Sequence, residues 1–188
     1  AIDGMLRGLA GEAPGTTTAF WHRVATRLDR AAAANRPLVK ICGITNRADA
    51  ELAAELGADL LGFVFADSPR RASADIVRDL ADLDALKVAV VVTGGRHGPL
   101  SDEVRALLAE GLLDAVQFHG DEEPEEWAAQ AFPYYKALRL GTPEAALEAR
   151  RYRSPRVLVD ARDSAAYGGT GKRVSPEIVA AVSEHGPL

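Results

Sequence analysis

The chain predicts an α/β fold built on a parallel sheet, and three observations carry that prediction. From residue 37 onward, short runs rich in Val, Leu, Ile, Phe and Tyr alternate with amphipathic runs. Most of the short runs are apolar on consecutive residues, as strands covered on both faces are. Serines followed by acidic residues stand before several of the amphipathic runs. A serine hydroxyl there accepts from an N–H that the helix leaves unpaired, and the carboxylates oppose the positive end of the helix dipole. The repeated unit is strand, loop, helix.

In chain order, Phe20, Trp21, Val24 and Leu28 lead into an alanine-rich stretch, which predicts a helix over 18–34. It ends before Arg36-Pro37, because the residue before proline leaves helical backbone. Strands are predicted at 38–44, 59–65, 87–92, 115–119, 134–140 and 156–161, with helices at 47–56, 73–82, 101–110, 123–131, 143–151 and 175–184. In the first of these helices Ala48, Leu52 and Leu56 recur at helical spacing, and Gly57 supplies the stop. Ser73, Ser101 and Ser175 are the predicted N-caps, the last followed by Pro176 at a first-turn position that tolerates proline.

Strict alternation of this kind builds either a closed (β/α)8 barrel or an open doubly wound sheet, and periodicity alone does not choose between them. Six units occupy residues 37–188, whereas a closed barrel needs eight and typically about 200 residues or more. A barrel reading is therefore that of an incomplete TIM barrel. Residues 1–36 read as an N-terminal helical extension or linker and 37–188 as the partial barrel. The chain starts at Ala1 and stops at Gly186-Pro187-Leu188, so both ends are expected to be cut.

Composition narrows the function classes. The 188 residues are 47% hydrophobic and 26% charged, ordinary for one globular domain. A net charge of −5 gives no basic field for nucleic acid or an anionic membrane, so an anionic substrate needs a local site. No stretch approaches the roughly 18 apolar residues of a membrane span, and no secretory leader pattern opens the chain. A single cysteine forms no internal disulfide, which suits a reducing, cytoplasmic setting. No metal-ligand spacing is present.

Several residues have the right place for chemistry. Cys42 ends the apolar run Leu38-Val39-Lys40-Ile41, where an α/β strand meets ligand; it is either a packed thiol or a functional one. Asp160 ends Val157-Leu158-Val159, a place where an unpaired carboxylate is costly if buried; the alternatives are a loop carboxylate and a site acid. Tyr167-Gly168-Gly169-Thr170-Gly171-Lys172 reads as a flexible turn or as a loop whose N–H groups meet phosphate. Arg70 and Arg71 follow a Ser-Pro turn, either solvated or as guanidinium forks for a carboxylate. His119, in Gln117-Phe118-His119-Gly120, reads equally as core or site. The acidic run 121–126 reads as a helix start with a solvated face.

Taken together, Lys40-Ile41-Cys42-Gly43-Ile44-Thr45, Gly62-Phe63-Val64-Phe65 with its Ser68-Pro69-Arg70-Arg71 turn, and Val159-Asp160 with the glycine loop resemble the phosphoribosylanthranilate isomerases of tryptophan biosynthesis, over residues 37–188. The resemblance implies a (β/α)8 barrel that rearranges N-(5-phosphoribosyl)anthranilate to its 1-deoxyribulose 5-phosphate isomer, a small phosphorylated substrate, without cofactor or metal. It implies Cys42 as general base and Asp160 as general acid. Arg71, with Arg70 the close alternative, is placed on the anthranilate carboxylate. Gln117 and His119 line or support the cleft, and Gly168, Gly169 and Gly171 form a loop at the substrate. The family often occurs fused to another tryptophan-pathway enzyme, commonly indole-glycerol-phosphate synthase. Two departures stand out. The third strand runs into Val92-Thr93-Gly94-Gly95 rather than the family's usual ending, and the chain stops before the seventh and eighth strands, whose loops hold the phosphate in the family. The rivals are a doubly wound small-molecule binding module, which predicts a reversal of strand order, and a barrel fragment without activity.

Overall fold

A computed structural model of the chain describes residues 16–94, 98–127, 130–152, 155–161 and 173–184. Six strands are present: β1 Lys40–Cys42, β2 Leu60–Val64, β3 Leu86–Val91, β4 Ala115–Phe118, β5 Tyr134–Leu140 and β6 Val157–Ala161. They follow one another in the sheet in chain order, without the reversal that a doubly wound sheet requires. The helices are α1 Thr16–Ala33, α2 Arg47–Glu55, α3 Ala74–Asp79, α4 Asp102–Ala109, the single turn α5 Pro124–Trp127 and α6 Pro176–Ser183. All six strand predictions are met to within two residues at each end. Ser73, Ser101 and Ser175 cap α3, α4 and α6, each hydroxyl accepting from the N–H three residues on. Asn46 caps α2 by accepting from the Asp49 N–H.

Contacts divide the chain into two units. The first comprises the residues up to Val91 with Leu100–Val116 and Ala131–Pro133; the second comprises Val92–Pro99, Gln117–Gln130 and the chain from Tyr134 onward.

In the first unit β1 and β3 both pair parallel with β2, with Lys40 opposite Leu60, Cys42 opposite Gly62 and Gly62 opposite Val88. Leu61, Phe63, Val77, Val88, Val104 and Leu107 are fully buried in this unit. Helix α1 belongs to this unit. Its apolar stripe of Phe20, Trp21, Val24 and Ala31 is buried. Arg27 donates to the Asp84 carbonyl at 2.7 Å and carboxylate at 3.0 Å, Arg23 pairs with Asp114, and Arg36 forks onto Asp59 at 2.7 and 2.9 Å. Asp59, Asp84 and Asp114 lie just ahead of β2, β3 and β4, so one helix and its exit segment bind three strand beginnings through charge-assisted bonds. The Arg36 fork holds the Asp59 carboxyl below the usual range, against the opposing effect of burial.

In the second unit β5 and β6 pair parallel, with Lys136 opposite Val157 and Arg139 opposite Asp160. Leu138, Leu140 and Val157 form a core with Ala146, Ala149, Ile178 and Val182. Residues Pro143–Arg151 form a 3-10 helix rather than the predicted α-helix. The buried alanines, 146 and 149, are three residues apart and eclipse one another at three residues per turn, so the tighter helix turns both onto the core.

Candidate functional site

The first unit carries the thiol. Register places Cys42 opposite Gly62, and a Cβ at Gly62 would come within 2.9 Å of both Cys42 Sγ and Lys40 Nζ. Only glycine leaves room there for the two side chains to converge. Lys40 is half-buried, and burial pushes its pKa down from 10.5, while charge and hydrogen bonding with Cys42 push the other way. Chain direction changes at once: Gly43, at φ +93°, and Ile44 both donate their N–H groups to the Gly62 carbonyl, at 2.9 and 3.1 Å. This leaves Cys42 exposed at the strand end, beside a groove of about 340 Å³ between β1 and α2 lined by Ile41, Leu52 and Leu56.

The two arginines of the 68–71 turn separate. Arg70 lies against Gly43, with its Cδ 3.0 Å and its Nη1 3.1 Å from where a Cβ would stand. Arg71 donates to the Phe65 carbonyl at 3.0 Å and to Glu103 at 3.1 Å, and Glu103 in turn accepts the Ala74 N–H.

In the second unit Gln117, His119 and Asp160 come together. The Gln117 amide nitrogen is 2.9 Å from His119 Nδ1, and His119 Nε2 is 3.0 Å from Asp160 Oδ2. Buried Tyr135 donates to Gln117 Oε1 at 3.0 Å. The other Asp160 oxygen accepts the Ala161 N–H at 2.8 Å. Arg139, the register partner of Asp160, shares its face and pairs with Asp121.

Beneath this lies an arrangement that sequence reading missed. Glu122 was expected on a solvated face, yet it is fully buried, because Lys136 of β5 meets it at 3.0 Å. Its carboxylate also accepts the N–H groups of Thr93 and Gly120, at 2.9 Å each. The Lys136 ammonium donates further to the carbonyls of Gly120 and Ala137. Together they fasten the turn that follows His119. The signal was Lys136 itself, a cation inside the apolar strand Tyr134–Leu140, which demands a buried partner. Tyr135, Arg139 and Lys40 were likewise unassigned. Gly168, Gly169 and Gly171 lie outside the described residues. Among the described residues no helix is long and apolar enough to cross a membrane, and no three His, Cys, Asp or Glu side chains group as metal ligands.

Residues 39–187 match the family described as N-(5'-phosphoribosyl)anthranilate (PRA) isomerase. The N-(5'-phosphoribosyl)anthranilate isomerase of Geobacter metallireducens is 40% identical over 152 residues, 80% of this chain and 74% of the relative. The crystal structure of the Thermus thermophilus enzyme superposes with a TM-score of 0.62 at 31% identity, covering 79% of this chain and 72% of that one. A phosphoribosyl anthranilate isomerase in complex with reduced 1-(o-carboxyphenylamino)-1-deoxyribulose 5-phosphate gives 0.56 at 33% identity, over 67% of this chain and 66% of that one.

Proposed function

The chain belongs to the N-(5'-phosphoribosyl)anthranilate isomerase family, and we propose that Cys42 and Asp160 carry its Amadori rearrangement as general base and general acid. The supporting observation is that each group lies at the C-terminal end of a parallel strand next to a polar partner: Lys40 beside the thiol, His119 on the carboxyl. The substrate is N-(5-phosphoribosyl)anthranilate. Asp160 gives its proton to the furanose ring oxygen, and the ring opens to an iminium at C1. The Cys42 thiolate then removes the C2 proton, leaving an enolamine that tautomerises to the aminoketose. Hydrogen moves from C2 to C1 within one molecule, so neither an oxidant nor a reductant is consumed.

For the anthranilate carboxylate, gapless spacing from Cys42 assigns Arg71. Arg70, lying on Gly43, supports the better reading: Arg70 takes the carboxylate, and Arg71 braces the turn through Glu103. We extend the six strands to the first six of a (β/α)8 barrel, in a cytoplasmic enzyme whose residues 1–36 come from a junction with a fused pathway enzyme.

The test is turnover of N-(5-phosphoribosyl)anthranilate by the purified protein, with product followed by chromatography. Cys42→Ala and Asp160→Asn should each lower kcat by roughly 10²–10⁴-fold with the fold intact. Near-unchanged kcat in either variant removes that residue from its role.

A further inference from the structure

Glu122 and Lys136 take no part in the proposed proton transfers, yet both are buried, at 1% and 3% exposure. A buried ion pair gains little stability over apolar side chains of the same size, because each charge gives up its water. What such a pair supplies is direction, and here it converges on one residue. Gly120 donates its N–H to Glu122 Oε2 at 2.9 Å, and its carbonyl accepts from the Lys136 ammonium at 2.6 Å. That N–H belongs to the peptide joining His119 to Gly120, so a charge holds the plane of this peptide. A Cβ on Gly120 would stand 2.7 Å from Glu122 Oε1 and 2.8 Å from Val92 Cγ1, so the close approach of the carboxylate requires glycine. The carboxylate also accepts the Thr93 N–H at 2.9 Å, and the Glu122 carbonyl accepts from the Tyr152 hydroxyl at 2.9 Å. The segments after β3 and β4, strand β5 and the segment ahead of β6 are thereby tied to one pair of residues.

We propose that Glu122, braced by Lys136, is a positioning residue for the isomerase reaction: it sets the His119–Gly120 peptide, and through it the place of the His119 ring, whose Nε2 lies 3.0 Å from Asp160 Oδ2. The proposal rests on the reading of Asp160 as the acid. Its own contacts are directed without any choice of tautomer or rotor, because backbone N–H and ammonium groups only donate and a carboxylate only accepts. Glu122 acts through His119 and does not touch the reacting atoms.

Glu122→Gln keeps the size of the side chain and replaces one oxygen with NH₂. In either orientation of the amide this NH₂ meets a donor: the Thr93 N–H on one side, or the Gly120 N–H and the Lys136 ammonium on the other. The Gly120 peptide is then displaced while every apolar side chain stays as it was. Gly120→Ala disturbs the same contact from the opposite side, by pressing a methyl group against the carboxylate and Val92.

The experiment is a double-mutant cycle in the whole chain, with turnover of Glu122→Gln, His119→Ala and the double variant, together with amide hydrogen exchange. Glu122→Gln should lose about tenfold in kcat, the size of one hydrogen bond, with KM within about twofold. The Gly120 and Thr93 amide protons should exchange about tenfold faster. In the His119→Ala background the same substitution should cost less than about twofold, since its effect passes through that ring. A folded Glu122→Gln with wild-type kcat, unchanged exchange at Gly120, or a full tenfold loss repeated in the His119→Ala background overturns the proposal. Should Glu122→Gln fail to fold, Gly120→Ala is expected to show the same loss in kcat and the same coupling to His119, and an unaltered kcat there overturns it equally. Failure of the acid assignment is separable: an active Asp160→Asn, with the coupling of Glu122 to His119 intact, removes Asp160 as the acid and leaves the positioning role standing.

Discussion

Lys40 of β1 and Lys136 of β5 are ammonium groups placed on strands of a parallel sheet, and in both, burial is the main cause of a lowered pKa. What opposes the burial differs. Lys136 faces a carboxylate, Glu122, at 3.0 Å and three backbone carbonyls besides, those of Phe118, Gly120 and Ala137. Lys40 faces the Cys42 thiol, whose negative charge is conditional. A cation beside a standing anion is a fastening. Beside a thiol it has a hydrogen-bonding neighbour and no carboxylate to fasten it. The same residue type on two strands therefore meets two settings, one made by a carboxylate and the other by a thiol.

Removing each lysine in turn breaks this comparison most sharply. Lys136→Met leaves the Glu122 carboxylate buried without its cation and should destabilise the protein by about 3–5 kcal/mol. Lys40→Met takes a half-buried lysine from beside an exposed thiol and strands no buried carboxylate, so its cost should be within about 1 kcal/mol. Denaturant unfolding of both variants checks the contrast, and equal losses would abolish it. The pH dependence follows from Glu122→Gln. In the wild type Glu122 pulls the Lys136 pKa back up; without it the value falls further below 10.5. Between that folded value and 10.5 the unfolded chain binds more protons, so stability rises with pH across the window. The rise from pH 7 to 10 should be steeper in Glu122→Gln than in the wild type.

A smaller effect separates the lysines by function. If Lys40 assists the proposed base, Lys40→Met should lower kcat by about tenfold through the lost hydrogen bond and charge contact with Cys42. An unchanged kcat would mean that Lys40 is there for packing.

Much of this was legible in advance, and the gaps have physical causes. Strand β5 was read to the residue, and the caps at Ser73, Ser101 and Ser175 were read from short-range chemistry, which sequence records directly. The partner of Glu122, which lies in the turn after β4, is 14 residues away on β5. In an acidic run with exposed Asp121, Glu123 and Glu125 around it, nothing local marks the one carboxylate that turns inward. The strand-end positions of Cys42 and Asp160 were legible from the apolar runs before them, and their proposed roles came from the motifs around them. The contact of Tyr135 with Gln117 was not, because the two residues are 18 apart on neighbouring runs.

The smallest effect concerns the adjacent arginines of the first unit. Arg71 is half-exposed and bound to Glu103, an ion pair of the kind worth about 0–1 kcal/mol, whereas Arg70 lies on the glycine that follows the thiol. If Arg70 takes the substrate carboxylate through its planar fork, Arg70→Lys keeps the charge but loses one of two parallel bonds. KM should rise about fivefold with kcat within about twofold, since a bond made equally to substrate and transition state is felt in binding alone. Arg71→Lys should leave KM unchanged and lower stability only slightly. The reverse pattern would return the carboxylate to Arg71 and make the contact of Arg70 with Gly43 a matter of packing. Because the two residues are adjacent and carry the same charge, long-range electrostatics is common to both variants, and the difference between them isolates the geometry of the fork.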